Sequence, residues 1–336
     1  MSLLLRRLAG LPYGLLAAGR VKAYALGILP SERPPLPVIS VGNLGLGGTG
    51  KTPLVLHLLG KLRAEGFRPG VLSRGYGKAK NEKLNDEGRL LELRFPGLPQ
   101  EQDPDRAAAA ERLLARASLD CLVLDDAFQH LRIARDLDLV CLSGRRPWFE
   151  DAPLPLGRLR EFPSALKRAH LLVLTHTEGL PREKVAALEE RAALDSGGKP
   201  LARAEHLPSA LLLPDPAGEG KSRERPPSDL EGKRVFLFSA IGSPRAFQAT
   251  VEGLGAQVAG HLAFRDHHRF TPVDFRKIQD RARESGAETI LTTEKDLART
   301  GGFPFPAAVL RVDLVFRQGE ERLDRLLREV LEKKEP

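Results

Sequence analysis

Gly45-Leu46-Gly47-Gly48-Thr49-Gly50-Lys51-Thr52 carries the most structural information in this chain. It fits G-x-x-x-x-G-K-[ST], the phosphate-binding P-loop. An apolar, β-prone run, Pro37-Val38-Ile39-Ser40-Val41, precedes it, and a helical pattern, Pro53-Leu54-Val55-Leu56-His57-Leu58-Leu59, follows. That is the strand–loop–helix context the motif requires. The glycines let backbone N–H groups turn inward around phosphate oxygens, and the helix N-terminus adds partial positive charge. Lys51 would reach the β- and γ-phosphates and Thr52 would ligate Mg²⁺. The bland alternative is a Gly-rich turn that binds nothing. All fixed positions and both flanks agree, so binding of a nucleoside triphosphate is the expectation.

Outward from the loop, strands alternate with helices. Pro69–Ser73 reads as a second strand ending in Arg74-Gly75-Tyr76-Gly77. Residues 78–104 read as polar and irregular, and Asp105 to Ala117 as an Ala/Leu helix. Asp120–Leu124 reads as a buried strand that ends in Asp125-Asp126. Leu137–Leu142 and His170–Thr175 are further strands, and 181–195 a helix. This order predicts a P-loop NTPase-type parallel α/β sheet with right-handed crossovers. Pro, Gly and charge dominate 196–233, which reads as a linker. A second, smaller α/β lobe with a charged C-terminal helix is expected over 234–336. The domain expectation is therefore 1–31 as a basic membrane-associating segment, 32–195 as the P-loop kinase domain, then linker and second lobe.

With 336 residues, the chain is long enough for two domains. Its formal charge of +8 favours anionic partners. Aromatic residues make up only 5%, with no basic–aromatic interleaving, so no nucleic-acid partner is expected. Cys121 and Cys141 lie in apolar runs and read as buried free thiols. The N-terminal stretch carries Arg6, Arg7, Arg20 and Lys22 among leucines, with no acidic residue before Glu32. Its uncharged window is too short to span a bilayer. A signal peptide is rejected, because export would separate the P-loop from ATP. A core-packing helix and an amphipathic helix on an anionic membrane surface both remain, the second being the sharper reading.

Several side-chain groups suggest chemistry. Asp125 and Asp126 end a strand where P-loop enzymes place a Mg²⁺-binding carboxylate, although strand-end loop carboxylates are common. Arg158 and Arg160 alternate in an extended segment and suit bidentate phosphate recognition; Glu161 could help hold Mg²⁺. As isolated charges they would be ordinary surface residues. Asp266-His267-His268 suggests general acid/base work more than a metal site, since adjacent histidines point apart in extended chain. Thr293-Glu294-Lys295-Asp296 is either a helix cap or a phosphate contact through Lys295.

Taken together, these motifs resemble the tetraacyldisaccharide 4'-kinase (lipid A 4'-kinase) family. The matching pieces are Val41-Gly42-Asn43 with the P-loop, Ser73–Gly77, Asp125-Asp126-Ala127-Phe128-Gln129-His130, and Leu154-Pro155 through Leu159-Arg160-Glu161. Asp266–Phe270 and Thr293–Asp296 complete the set, in the family's order. The resemblance implies ATP- and Mg²⁺-dependent transfer of the γ-phosphate to the 4'-hydroxyl of an acylated disaccharide 1-phosphate. The setting implied is peripheral, at the cytoplasmic face of the bacterial inner membrane, and a monomer is expected. It further implies Asn43, Arg74, Tyr76, Arg158 and Arg160 as acceptor-binding residues. The family's catalytic Asp sits in a Gly-Asp-Glu segment, which here reads Asn85-Asp86-Glu87-Gly88. Asp86 is thus implied as the catalytic Asp and His267 as its partner, with Lys51 completing the catalytic set. This dyad is expected to join the two lobes, so that catalysis would need lobe closure. Thr175-His176 stands where relatives often carry Thr-Lys.

Two alternatives from other classes remain. One is a P-loop GTPase or ATPase switch of the partition type, which would need a D-x-x-G after the Asp125 strand, and Ala127-Phe128 supplies no such Gly. The other is a non-catalytic lipid-binding module, which would leave the P-loop without a purpose.

Overall fold

The computed structural model describes residues 2–78, 82–214 and 223–332. From the N-terminus the chain runs α1 (Leu3–Ala25), β1 (Val38–Asn43), α2 (Lys51–Ala64), β2 (Pro69–Ser73), α3 (Asp86–Arg94), β3 (Gln100–Gln102) and α4 (Arg106–Arg116). It continues through β4 (Cys121–Asp125), β5 (Leu137–Ser143), β6 (Leu171–Thr175), α5 (Arg182–Ser196), β7 (Leu201–Leu213) and β8 (Arg223–Arg225). The remainder comprises β9 (Arg234–Ser239), α6 (Pro244–Gly253), β10 (Gln257–Ala263), α7 (Pro272–Glu284), β11 (Thr289–Thr293), α8 (Glu294–Thr300), β12 (Ala308–Gln318) and α9 (Glu320–Glu332).

Two compact units emerge. The first holds Met1–Tyr76, Gly97–His206 and Leu314–Pro336; the second holds Gly77–Pro96 and Leu207–Asp313. Segment 77–96 therefore groups with the second unit. It contains α3, where a polar irregular stretch was expected. Asn85 starts that helix by accepting a hydrogen bond from the Gly88 N–H. The expected linker likewise holds the whole of the long strand β7. Hydrophobic residues in it are separated by charge and proline, which hides the strand from a composition-based reading.

In the first unit the strands lie in the order β7-β6-β5-β1-β4-β2-β3, all parallel. β1 is central, with Val41 opposite Asp125 of β4 and Asn43 opposite Cys141 of β5. Every β1 residue is buried, as expected of a parallel strand covered on both faces. Leu54, Val55, Leu58, Leu59 and Leu62 of α2 are all fully buried. Each such side chain contributes about 1.5–3 kcal/mol by leaving water, which fixes the helix whose first turn carries Lys51 and Thr52. Helix α9 turns Leu323 and Leu327 inward, and Lys61 of α2 pairs with its Asp324 at 2.7 Å.

The second unit repeats the logic on a smaller scale. β10-β9-β11-β12 are parallel neighbours, and β8 pairs antiparallel with the end of β7. β9 alternates cleanly. Val235 and Leu237 pack with Phe247, Val251 and Leu310, while Phe236 and Phe238 face Ile278, Ala282 and Phe305. That two-residue period is the signature of a strand covered on both sides.

Helix α1 belongs to the first unit. Gly10 and Gly14 are its buried residues, because a Cβ on either would strike Pro153 or Phe162. Leu4, Leu5, Leu8, Leu15 and Leu16 point to solvent, the last 76% exposed. Arg6 is held by Asp151 and by the Leu156 carbonyl, Arg7 by the Phe149 carbonyl, and Arg20 by the Gln129 carbonyl. The exposed face of α1 is thus led by leucine, and three of the four basic residues turn to the protein rather than outward. No helix among the described residues is long and apolar enough to cross a membrane.

Candidate active site

The P-loop occupies the carboxyl end of β1, between the ends of β4 and β5, where open parallel sheets bind ligands. Gly47 and Gly50 have φ of 116° and 85°, conformations costly for residues with a Cβ. Gly45 needs its missing side chain for another reason. The Arg158 carbonyl would lie 2.8 Å from a Cβ there, and Leu46 N–H donates to that same carbonyl. Segment 158–160 is therefore laced along the mouth of the loop. Gly50 has no side chain with which to cap α2, so the N–H groups of its first turn are left for an anion.

Several side chains brace the loop. Asn43, fully buried, donates from Nδ2 to Thr49 Oγ1 at 2.8 Å, and its carbonyl accepts from Gln129 Nε2. Thr175 at the end of β6 donates to the Thr49 carbonyl at 2.8 Å. His206 stacks on His176 at 4.3 Å and packs against Gly50. Burial pushes His176 down to about 3, so it stays neutral near pH 7.

Asp126 lies in the left-handed region at φ 54°, which turns its carboxylate toward the loop. Arg160 grips it with two 2.9 Å bonds and Lys51 Nζ lies 3.6 Å away. Burial pushes this carboxyl up, but Lys51 and Arg160 override it and hold it below the usual carboxylate range. Asp125 is buried at the end of β4. Glu161 is gripped by Arg168 through bonds of 2.7 and 3.0 Å, so its charge is already matched within the protein. Arg158, Arg74 and Tyr76 are exposed, Tyr76 by 83%. No group of three or more His, Cys, Asp or Glu side chains among the described residues is arranged to hold a metal. A Mg²⁺ bound mainly through phosphate oxygens needs only one or two protein ligands.

In the second unit, His267 Nδ1 lies 2.9 Å from Asp86 Oδ2. The two residues sit in one unit, not across two as the sequence suggested, because α3 belongs there. His267 also adopts a positive φ, 61°. Arg299 Nε donates to the same Asp86 oxygen at 2.7 Å. Burial pushes the Asp86 carboxyl up, and the bonds from Arg299 and His267 more than reverse this, leaving it below its ordinary value. Thr293 caps α8 by accepting from Asp296 N–H, the helix-cap reading of this motif. His268 pairs with Asp274 of the α7 capping box and stacks on Phe264, which accounts for it structurally.

A family model described as tetraacyldisaccharide-1-P 4'-kinase, LpxK, matches residues 1–332. The chain belongs to this family. Curated relatives carry the name tetraacyldisaccharide 4'-kinase. The one from Anaeromyxobacter dehalogenans is 38% identical, covering 95% of this chain and 88% of its own. That from Chlorobium luteolum is 34% identical, covering 98% of both. A crystal structure of LpxK from Aquifex aeolicus in complex with ATP superposes with a TM-score of 0.76 at 30% identity, over 96% of this chain and 97% of that one. Membership in this 4'-kinase family makes the chain a kinase of lipid A biosynthesis and disfavours the partition-type switch.

Two residues near these sites were given no role by the sequence reading. Arg106 is buried at the start of α4, where the helix dipole opposes a cation. Burial lowers it to about 10, while Asp125 and Asp126 favour its charge. A basic residue opening an Ala-rich helix was the available signal. Arg299 carried no signal, since it sits in the last turn of an unremarkable seven-residue helix.

Proposed function

We propose that this 4'-kinase binds ATP through Gly45–Thr52 and transfers its γ-phosphate to the 4'-hydroxyl of an acylated disaccharide 1-phosphate. The observation that carries the reading is the pairing of Asp86 with His267 in a chain that also holds a complete P-loop. Asp86 takes the hydroxyl proton as the O4'–P bond forms, and the bond from the γ-phosphorus to ADP breaks with its electron pair leaving on ADP. His267 holds the carboxylate in place for that transfer. Lys51 spreads charge developing on the phosphoryl oxygens. Thr52 and Asp125 would hold Mg²⁺, which would supply further charge neutralisation on the phosphates.

Arg158 and Arg74, both exposed and basic, suit the acceptor's anionic 1-phosphate, and the exposed Tyr76 completes the proposed acceptor set, whereas the buried Asn43 braces the P-loop through Thr49 instead. The leucine face of α1 supports peripheral binding to the membrane that contains this lipid, at the inner-membrane cytoplasmic face. The test is ADP release by purified protein with ATP and Mg²⁺, with and without the acylated disaccharide 1-phosphate. Acceptor-dependent release, reduced roughly 100-fold or more by Lys51→Ala, supports the reading. Release that ignores the acceptor would return the switch alternative.

A further inference from the structure

Asp86 is held from two sides. His267 Nδ1 and Arg299 Nε both address Oδ2, at 2.9 and 2.7 Å, and neither bond uses Oδ1. Arg299 is itself fixed. Only 5% of its side chain is exposed, and Nη1 donates to Asp296 Oδ1 at 2.9 Å and to the Ala240 carbonyl at 3.1 Å. Asp296 is fully buried and anchored in turn by Ala240 N–H, Thr292 and Thr293. The Ala240 carbonyl also accepts from the His267 N–H, at 3.3 Å. One residue at the end of β9 thus ties both partners of Asp86 to the same frame.

We infer that Arg299 is a positioning residue for phosphoryl transfer: it keeps Asp86 ionised and turns Oδ1 toward the acceptor hydroxyl. This rests on the reading of Asp86 and His267 as the base dyad. The physical case is direct. Burial works against an ionised Asp86, so a carboxylate there needs a fixed cation. His267 is a poor candidate for that work, because its side chain is 58% exposed. A guanidinium stays charged at every working pH, and its fork can bond Asp86 and Asp296 at once. The other charged groups around the dyad are Asp266, 3.9 Å from His267 Nε2, and Arg89, which donates to the Arg299 carbonyl. Glu82 pairs with Arg89 and Arg269, so it leaves no unmatched charge beside Asp86.

The experiment is the pH dependence of kcat/KM for wild type, Arg299→Ala, Arg299→Lys and Asp86→Asn. With Arg299→Ala the acidic limb moves up by about one pH unit. At neutral pH kcat falls roughly tenfold or more, while KM for ATP changes less than about twofold. Arg299→Lys returns the limb toward wild type but recovers only part of kcat, because an ammonium supplies charge without the fork. An acidic limb that stays put while the rate drops evenly at all pH would show a merely structural role and overturn the inference. Should Arg299→Ala not fold, a carbon-13 NMR titration of the Asp86 carboxyl in wild type, assigned with Asp86→Asn, decides instead. A native value at or above that of an ordinary aspartate overturns the inference. Near-wild-type turnover by Asp86→Asn would sink the dyad itself. An inactive Asp86→Asn beside an unmoved limb sinks only the role of Arg299.

Discussion

At the scale of single residues, the account rests on groups that work only in combination. Asp86 and His267 share one hydrogen bond, so removing either leaves the other without its function. Asp86→Asn and His267→Ala are each expected to lower kcat by 100-fold or more, in rough terms, and the double variant to be little worse than the poorer single one. ATP affinity, governed by the first unit, should hold in all three. Strictly multiplicative losses in a kcat comparison would show two independent contributions. Residue-level legibility was uneven for physical reasons. Lys51 and Thr52 announce themselves because phosphate binding by backbone N–H groups needs glycines at fixed spacing. Asp86 and His267 lie 181 positions apart, and only the family resemblance joined them. Arg299 looks like a surface cation in a chain with 52 Lys and Arg, and burial alone singles it out.

At the scale of elements, the strand–loop–helix of the P-loop was readable throughout, since a buried parallel strand shows a continuous apolar run. Helix α3 was not. Its nine residues are mostly charged, and what defines it is the Asn85 cap and the burial of Leu90 and Leu91. Helix α1 shows the opposite lesson. Its leucines and arginines were both legible, but which of them face outward depends on the pockets around Asp151, Phe149 and Gln129. This changes the expected outcome of mutating it. Replacing Leu4, Leu8, Leu15 and Leu16 by Ser should weaken partitioning to vesicles by 1 kcal/mol or more per residue, roughly, with little dependence on salt. Replacing Arg6 and Arg7 by Gln should instead loosen the docking of α1 and lower thermal stability. Vesicle sedimentation at low and high salt separates the two; a strong effect of the arginines alone, lost in high salt, would contradict the leucine-led face.

At the scale of the whole molecule, buried neutral histidines set a pH limit. His130 is pushed down to about 4 by burial, with Arg106, Arg20 and Arg135 adding to it, and His176 to about 3. Both native values lie below the ordinary 6.5, so the unfolded chain takes up protons first as pH falls. Their contribution to stability is complete above about pH 6.5 and declines below it, by up to about 1.4 kcal/mol per pH unit for each. Asp86 and Asp126, held below the usual carboxylate range, add nothing to this slope until the pH is lower still. Glu178 and Glu294, raised by burial, act in the opposite sense, so the informative quantity is a difference between proteins. In urea unfolding at pH 7.5 and 5, His176→Gln should lose less stability on acidification than wild type; equal losses would contradict the assignment. The claim on which everything else depends is the destination of the phosphate. Phosphorus–proton correlation NMR of the product, made from ATP and the acylated disaccharide 1-phosphate, tests it most directly. The account predicts a new phosphomonoester coupled to the proton at the 4' position, absent with Asp86→Asn; phosphate released to water, or attached at any other position, would contradict it.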